Sequence, residues 1–233
     1  MIQTRIPSLV AVACLLPSAG FAQEPSSSKL TVRAFLNDPV NPGAELFAHD
    51  AADKLIPLVL APGELPVGQA VAVIDGKLSF YSSAKIDPAN LVASAAVPES
   101  LKQAIAIIQP RGDAKKPPCG IVFVDDSISG FPPGESRAIS FTTLPLAIQA
   151  GEHKIAIAPG TITHVPPVTK VDPYYMAQTN FLYQAGGAWV PFSESKMKFL
   201  KDYRQVFICA VRPGSKSPTL VTLLDDTPKP AAP

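Results

Sequence analysis

The stretch RQVFICAVRPG, residues 204–214, is one long apolar run closed by a turn. A near copy, KQAIAIIQPRG, lies upstream at residues 102–112. The glutamine and glycine of the two copies match at a constant offset of 102 positions (205 − 103 and 214 − 112). Apolar runs of this kind, closed by Gly or Pro, are typical of buried β-strands. The chain is therefore predicted to contain one structural unit twice.

Further matches support this repeat. Each copy is followed by a second apolar run that ends in two acids, IVFVDD at 121–126 and VTLLDD at 221–226. LVLAPG at 58–63 returns as IAIAPG at 155–160. Asp75-Gly76 is a strong two-residue hairpin signal, and Gly186-Gly187 is matched to it as its equivalent in the second unit.

These patterns predict an all-β protein of two tandem antiparallel β-sandwich units that arose by internal duplication. Strand-like runs are separated by turn residues at short intervals, and seven of them in the first unit give an immunoglobulin-like strand count. The units span residues 29–128 and 132–227, and the segment SGFPPG at 129–134 joins them. Residues 228–233 are predicted to be a disordered tail.

The N-terminus has the pattern of a signal peptide, residues 1–22. Arg5 precedes an apolar stretch at 6–16, and Gly20 and Ala22 occupy the small-residue positions of a cleavage site. A lipoprotein anchored at Cys14 is the alternative. No other stretch is long and apolar enough to be transmembrane. We expect an exported protein, periplasmic or extracellular.

The charge balance excludes two classes of partner. The chain has 20 basic and 19 acidic residues, and removal of the signal peptide removes Arg5 alone, which leaves 19 of each. Nucleic acid and anionic membrane surfaces attract proteins through an excess of positive charge, so neither is expected. The predicted partner is an unknown protein or carbohydrate at the envelope.

Two cysteines, Cys119 and Cys209, remain after cleavage. An oxidising compartment permits a disulfide between them. Their positions are not equivalent in the repeat, so two buried free thiols are the alternative.

The sequence favours no catalytic or metal site, and no cofactor is predicted. It has no G-x-S-x-G elbow and no C-x-x-C pair, and its three histidines lack a nucleophile's context and are interpreted as surface or loop residues. The repeated Asp-Asp pairs are interpreted as turn acids at strand ends, with calcium ligation as the alternative.

An aromatic group in the second unit is the candidate binding feature. Tyr174 and Tyr175 lie in an apparent insertion at residues 166–175, and Trp189 follows the second predicted hairpin. Tyr and Trp faces stack on sugar rings or peptide side chains. Phe181, Tyr183 and Trp189 are equally suited to filling a core, whereas the two tyrosines of the insertion are not required by the repeated scaffold.

The sequence as a whole predicts an exported, non-enzymatic binding or structural protein of the cell envelope. One alternative is an envelope hydrolase whose carboxylate pair the sequence does not single out. Another is a subunit of a surface assembly that pairs through exposed strand edges.

Overall fold

The computed structural model describes residues 27–38, 44–111, 117–212 and 214–226. The described chain is all-β, with several sheets and one short 3-10 turn at Pro88–Asn90. No described helix has the length and apolar character that a bilayer crossing requires. The predicted signal peptide, the disordered tail, the turn at 39–43 and Gly112 of the upstream copy lie outside the described residues.

In the first half, the described residues form eight strands, one more than the sequence predicts. They are β1 (Ser27–Leu36), β2 (Phe47–His49), β3 (Leu55–Pro57), β4 (Gln69–Ile74), β5 (Lys77–Tyr81), β6 (Leu91–Ala96), β7 (Gln103–Pro110) and β8 (Cys119–Asp125). β6 was missed because its sequence, LVASAA, is short and rich in alanine. A hydrogen-bonded reverse turn follows Pro98 and is closed from Leu101 N to Pro98 O at 2.9 Å.

The second half also forms eight strands among the described residues. They are β9 (Ser136–Phe141), β10 (Leu146–Ala150), β11 (His153–Ile157), β12 (Ile162–Val165), β13 (Met176–Ala185), β14 (Ala188–Lys198), β15 (Tyr203–Val211) and β16 (Pro218–Asp226). They make two sheets, in the orders β11-β10-β13-β14 and β12-β9-β15-β16.

The first half repeats this order with one added link. Its strands run β3-β2-β5-β4-β1-β7-β8, with β6 also on β5. β4 and β5 are joined by the single pair Ile74↔Lys77. On either side of that link the orders β3-β2-β5-β6 and β4-β1-β7-β8 correspond strand for strand to the second half. The matched apolar runs hold equivalent places, because β7 and β15 each pair parallel with one strand, β1 or β9, and antiparallel with another, β8 or β16.

Strand order corrects the assignment of equivalent turns. Asp75-Gly76 joins β4 to β5, and its φ angles of 49° and 71° are those of a primed turn. The equivalent connection, between β12 and β13, is the 166–175 segment. Gly186-Gly187 instead joins β13 to β14, the counterparts of β5 and β6. Both two-residue hairpins were predicted correctly, but a tight turn carries no information about which pair of strands it connects.

The residue-by-residue correspondence is also shifted by one position. Ile105 pairs with Arg33, and the equivalent pair in the second half is Val206 with Arg137. The offset is therefore 101 (206 − 105) and not the 102 that the sequence match gives. A slip of one residue turns a side chain to the opposite face of a strand. The sequence match aligned Ile105 with Phe207, but Ile105 faces the layer between the halves and Phe207 faces the core of the second half.

Three apolar clusters hold the layers together. One belongs to the first half, and one lies between the two sheets of the second half, an arrangement of the β-sandwich class. The third lies between the halves, where β7 contributes Ile105 and Ile107 and β15 contributes Val206 and Ile208. β7 and β15 are thus buried on both faces, which explains why their sequences are continuously apolar rather than alternating.

Candidate functional site

The 166–175 loop is held in place by the carboxylate of Glu152. This carboxylate accepts hydrogen bonds from Thr169 Oγ1 at 2.7 Å, Thr169 N at 2.8 Å and Lys170 N at 2.9 Å. These bonds, the one from the Thr169 hydroxyl foremost, lower the pKa of Glu152 to about 2. The middle of the loop is therefore tied to the β10–β11 turn.

A second carboxylate, Asp172, organises the end of the loop. It accepts hydrogen bonds from Met176 N at 3.0 Å and Tyr174 N at 2.9 Å. These bonds, that from Met176 first, lower the pKa of Asp172. The carbonyl of Asp172 also accepts from Tyr175 N at 2.8 Å, and Phe199 N bonds to the Tyr175 carbonyl at 2.8 Å. Val168 is buried in the second core, so the loop is fixed at several points along its length.

The loop forms one wall of a cavity of about 560 Å³. This loop cavity lies between the loop, the β14–β15 turn and residues 133–134 of the segment that joins the halves. Its volume is within the range of roughly 300–1,000 Å³ common for small-molecule sites. Apolar groups predominate in its lining, which includes Pro167, Val168, Val171, Tyr175, Phe199 and Leu200.

The two loop tyrosines are exposed. Tyr174 is 78% and Tyr175 is 57% accessible to solvent, and Tyr175 lines the loop cavity. Tyr175 has a φ of 63°, in the left-handed region that residues other than Gly, Asn and Asp rarely adopt. Backbone strain of this kind is held by the surrounding hydrogen bonds and often marks a functional position.

The structure does not bring Trp189 to the tyrosines. Trp189 is 48% exposed, beside the Gly186-Gly187 turn, where it pairs with Gln184. The tyrosines lie at the opposite end of β13, and ten residues of strand extend about 30 Å. Phe181 is a core residue, with its ring centroid 5.2 Å from that of Phe207. The predicted aromatic group therefore divides into core members and two separate exposed sites.

The two cysteines are free thiols in this structure. Cys119 belongs to the core of the first half and Cys209 to the core of the second, so the third apolar cluster separates them. Of the two alternatives that the sequence left open, this structure has the free thiols, and β8 and β15 direct these side chains into different cores. Burial raises the pKa of Cys119, and raises that of Cys209 to about 12, which makes both thiols poor nucleophiles.

A buried ion network closes one end of the layer between the halves. Arg204, 1% exposed, bonds through Nε to Asp225 at 2.9 Å and through Nη2 to both Asp225 and Asp126, the latter at 2.7 Å. Arg33 contacts Asp225 at 2.6 and 3.0 Å. The ring of Phe131, from the joining segment, packs against Arg204 and Arg137, whose guanidinium carbons lie 4.7 and 4.6 Å from the ring centroid.

This network corrects the interpretation of the acids. Asp126, directly after β8, and Asp225, on β16, occupy equivalent places, and both are ion-paired with arginine rather than exposed in turns. Asp125 and Asp226 are the exposed members of each pair. A sequence signal was present, in the acids repeated at strand ends and in Arg204 at the start of the motif. The partners are far apart in the chain, so spacing could not connect them.

The three histidines differ in their exposure to solvent. His164 contacts Glu135 at 3.1 Å and His153 contacts the carbonyl of Pro167 at 3.0 Å, both in part-exposed positions. His49, in contrast, is buried, and its Nδ1 lies 2.7 Å from Asp53, so the surface interpretation is wrong for this residue. Within the described ranges, no three His, Cys, Asp or Glu side chains lie together as a group able to hold a metal ion.

The longest strand edge carries features that oppose pairing. β14 lies at the end of its sheet, and most of its 11 residues are exposed. It contains Pro191, a register irregularity at that point, and the charged residues Lys196 and Lys198. Proline, bulges and lysines are the devices by which proteins protect edge strands from edge-to-edge association.

No protein-family model matches this sequence, and no curated protein is significantly similar to it.

Proposed function

We propose that the protein is an exported, non-enzymatic binding protein of the cell envelope and that its ligand contacts the 166–175 loop and the loop cavity. The observation that carries the proposal is the contrast between equivalent connections. The first half joins β4 to β5 with a two-residue turn, whereas the second half joins β12 to β13 with this loop. A scaffold that functions with the short turn does not require the long one.

The rigidity of the loop favours binding. Glu152 and Asp172 order the loop before any ligand arrives, so little conformational entropy remains to be lost on association. Tyr174 and Tyr175 add contact area with few rotatable bonds. The ligand class that fits is a protein side chain or a sugar ring able to lie against a tyrosine face.

We also propose that the two halves are copies of one sandwich unit, immunoglobulin-like in its layering, that arose by internal duplication. The common strand order and the equivalent positions of the matched apolar runs support this origin. An experimental structure in which residues 29–128 and 132–227 fail to superpose strand for strand would contradict it.

The binding proposal is tested by capture from an envelope extract on immobilised protein, with proteins and glycans quantified by mass spectrometry. We expect a component that wild-type protein retains and that the Tyr174→Ala, Tyr175→Gly double variant loses. With that component purified, the double change should weaken binding by at least about 1 kcal/mol. Glycine is used at 175 because it adopts the positive φ without strain.

The control is Trp189→Ala, which removes another exposed aromatic ring about 30 Å away along the strands. It should leave capture unchanged. Equal retention of every component by wild type and a well-folded double variant would show that the loop has no part in recognition.

A further inference from the structure

The layer between the halves opens at the end opposite the ion network. There the ends of β7, β9 and β15 and the start of β8 surround a cleft of about 590 Å³. It shares no lining residue with the loop cavity. We call it the inter-half cleft.

The cleft has apolar walls supplied by both halves. Val122 and Phe141 are partly buried members of the apolar cluster between the halves, so the cleft is the place where that cluster meets solvent. The apolar residues that line it are Pro110, Ile121, Val122, Phe141, Leu144 and Val211.

Two cations stand at these walls. Arg111 comes from the segment that follows β7, and Lys216 from the connection between β15 and β16. No acidic residue is among the described residues that line the cleft. The charged side chains among the described lining residues are therefore both positive.

The equivalent place on the other side of the layer is different. A smaller cavity, about 210 Å³, lies there between β1 and β16, and its lining includes both Asp38 and Arg212. Equivalent strands thus give one small cavity with charges of both signs and one large cleft whose described lining carries positive charge alone. A difference of this kind is not required by the repeated scaffold.

From these observations we propose that the inter-half cleft binds a small amphiphilic carboxylate, free in solution, with its chain on the apolar walls and its head group between Arg111 and Lys216. Burial of an alkyl chain releases water from the apolar walls. The same burial lowers the local dielectric around the two cations, which favours an anion beside them. A guanidinium offers two parallel N–H donors that match the two oxygens of a carboxylate.

Gly120 provides a way to block the cleft without a change of charge. It lies on β8 with no positive φ, and a Cβ built there meets the side chain of Arg111 at 3.4 Å and no backbone. A larger side chain at 120 therefore projects into the cleft. Gly120→Leu fills the cleft, and the double variant Arg111→Gln, Lys216→Gln removes its charge.

The test is calorimetric titration of the mature protein with sodium decanoate below its micelle-forming concentration. We expect saturable binding, weakened about tenfold or more in the charge variant because charge-assisted hydrogen bonds are lost, and abolished by Gly120→Leu. Decanol should bind much more weakly than decanoate, and so should acetate, which lacks the chain. Lys77→Gln changes an exposed lysine at the start of β5 that does not line the cleft; it is the matched control and should bind as wild type does.

Several results would overturn the proposal. Absence of decanoate binding to wild type would do so, as would equal binding by the charge variant or equal affinity for decanol. A dimer that Gly120→Leu dissociates, with no decanoate bound, would show that a second copy of the chain occupies the cleft. Circular dichroism of each variant checks that the fold is retained. None of these outcomes bears on the loop cavity, so the two proposals stand or fall separately.

Discussion

The two ends of the layer between the halves show how burial determines what a charge does. At the closed end, Arg204 is buried and Arg33 is largely buried, and their hydrogen bonds go to Asp126 and Asp225. At the open end, Arg111 and Lys216 are exposed at the rim of the inter-half cleft. A buried charge must be paired because its desolvation is costly, whereas an exposed one is stabilised by water. The closed end is therefore structural, and the open end is available for binding.

The largest effect should come from breaking the closed end. Arg204→Ala leaves Asp225 and Asp126 buried with one arginine between them, and we expect a loss of about 3–5 kcal/mol in the free energy of unfolding. Lys216→Ala at the open end should change it by no more than about 0.5 kcal/mol. Urea denaturation of both variants measures the difference. Similar losses in the two variants would contradict the distinction between the ends.

Lowering the pH should also change the stability of the closed end, and the pKa shifts of Asp225 and Asp126 predict the direction of the change. Burial disfavours ionised Asp225, but hydrogen bonds and ion pairs with Arg33 and Arg204 outweigh it, so its pKa is lowered. Its stabilising contribution is present above the ordinary carboxyl pKa and is lost as pH falls through the folded pKa. For Asp126 burial dominates and raises the pKa. As pH falls, the folded protein therefore binds a proton at Asp126 more readily than the unfolded chain does, which opposes the loss of stability caused by Asp225.

Asp126→Asn removes the opposing contribution. We expect the stability of this variant to fall more steeply than that of wild type as pH is lowered from about 5 to about 3. Urea midpoints measured across this range test the slope. Parallel curves, or a shallower one for the variant, would show that Asp126 does not titrate as its burial implies. The Lys216→Ala curve should follow that of wild type.

The smallest expected effect is a difference in reactivity between Cys119, beside the open end of the layer, and Cys209, in the core of the second half. Cys119 directly precedes Gly120 of the inter-half cleft and is 7% exposed, whereas Cys209 is 0% exposed. We expect slow alkylation of Cys119 by iodoacetamide and none of Cys209 in the native protein. Peptide mass spectrometry after timed labelling distinguishes the two sites. The intact mass should not change on reduction, and a two-proton increase would reveal a bridge that this structure lacks.

Local patterns predicted much of the fold. Alternating and continuous apolar runs predicted β1, β7, β15 and β16, since side-chain period and burial are local properties of a strand. Asp75-Gly76 and Gly186-Gly187 predicted hairpins because few residues adopt a positive φ without strain. β6 and β12 have weak local signals and were missed. Which hairpins are equivalent depends on pairing between distant strands, which local patterns do not contain.

The candidate sites were predictable to different degrees. The sequence placed an insertion with its two tyrosines at 166–175, although it measured the change in spacing to Gly186-Gly187, which strand order shows is not the equivalent of Asp75-Gly76. It grouped Trp189 with them, and β13 separates the two by its full length. The ion network and the inter-half cleft both form where two sheets meet, from residues as distant as Arg33 and Asp225. Such sites depend on tertiary packing, and no spacing rule in one sequence specifies them.

The burial of Phe131 bears on whether this chain can be divided into portable modules. The segment that connects the halves is usually the place to cut a duplicated protein. Here that segment supplies the ring of Phe131, which is fully buried and in contact with two arginines. Either half expressed alone would expose an apolar sheet face, through Ile105 and Ile107 or through Val206 and Ile208, and would lose partners for its buried charges. The two halves are therefore expected to fold as one unit, so that neither could be moved to another protein or engineered without the other.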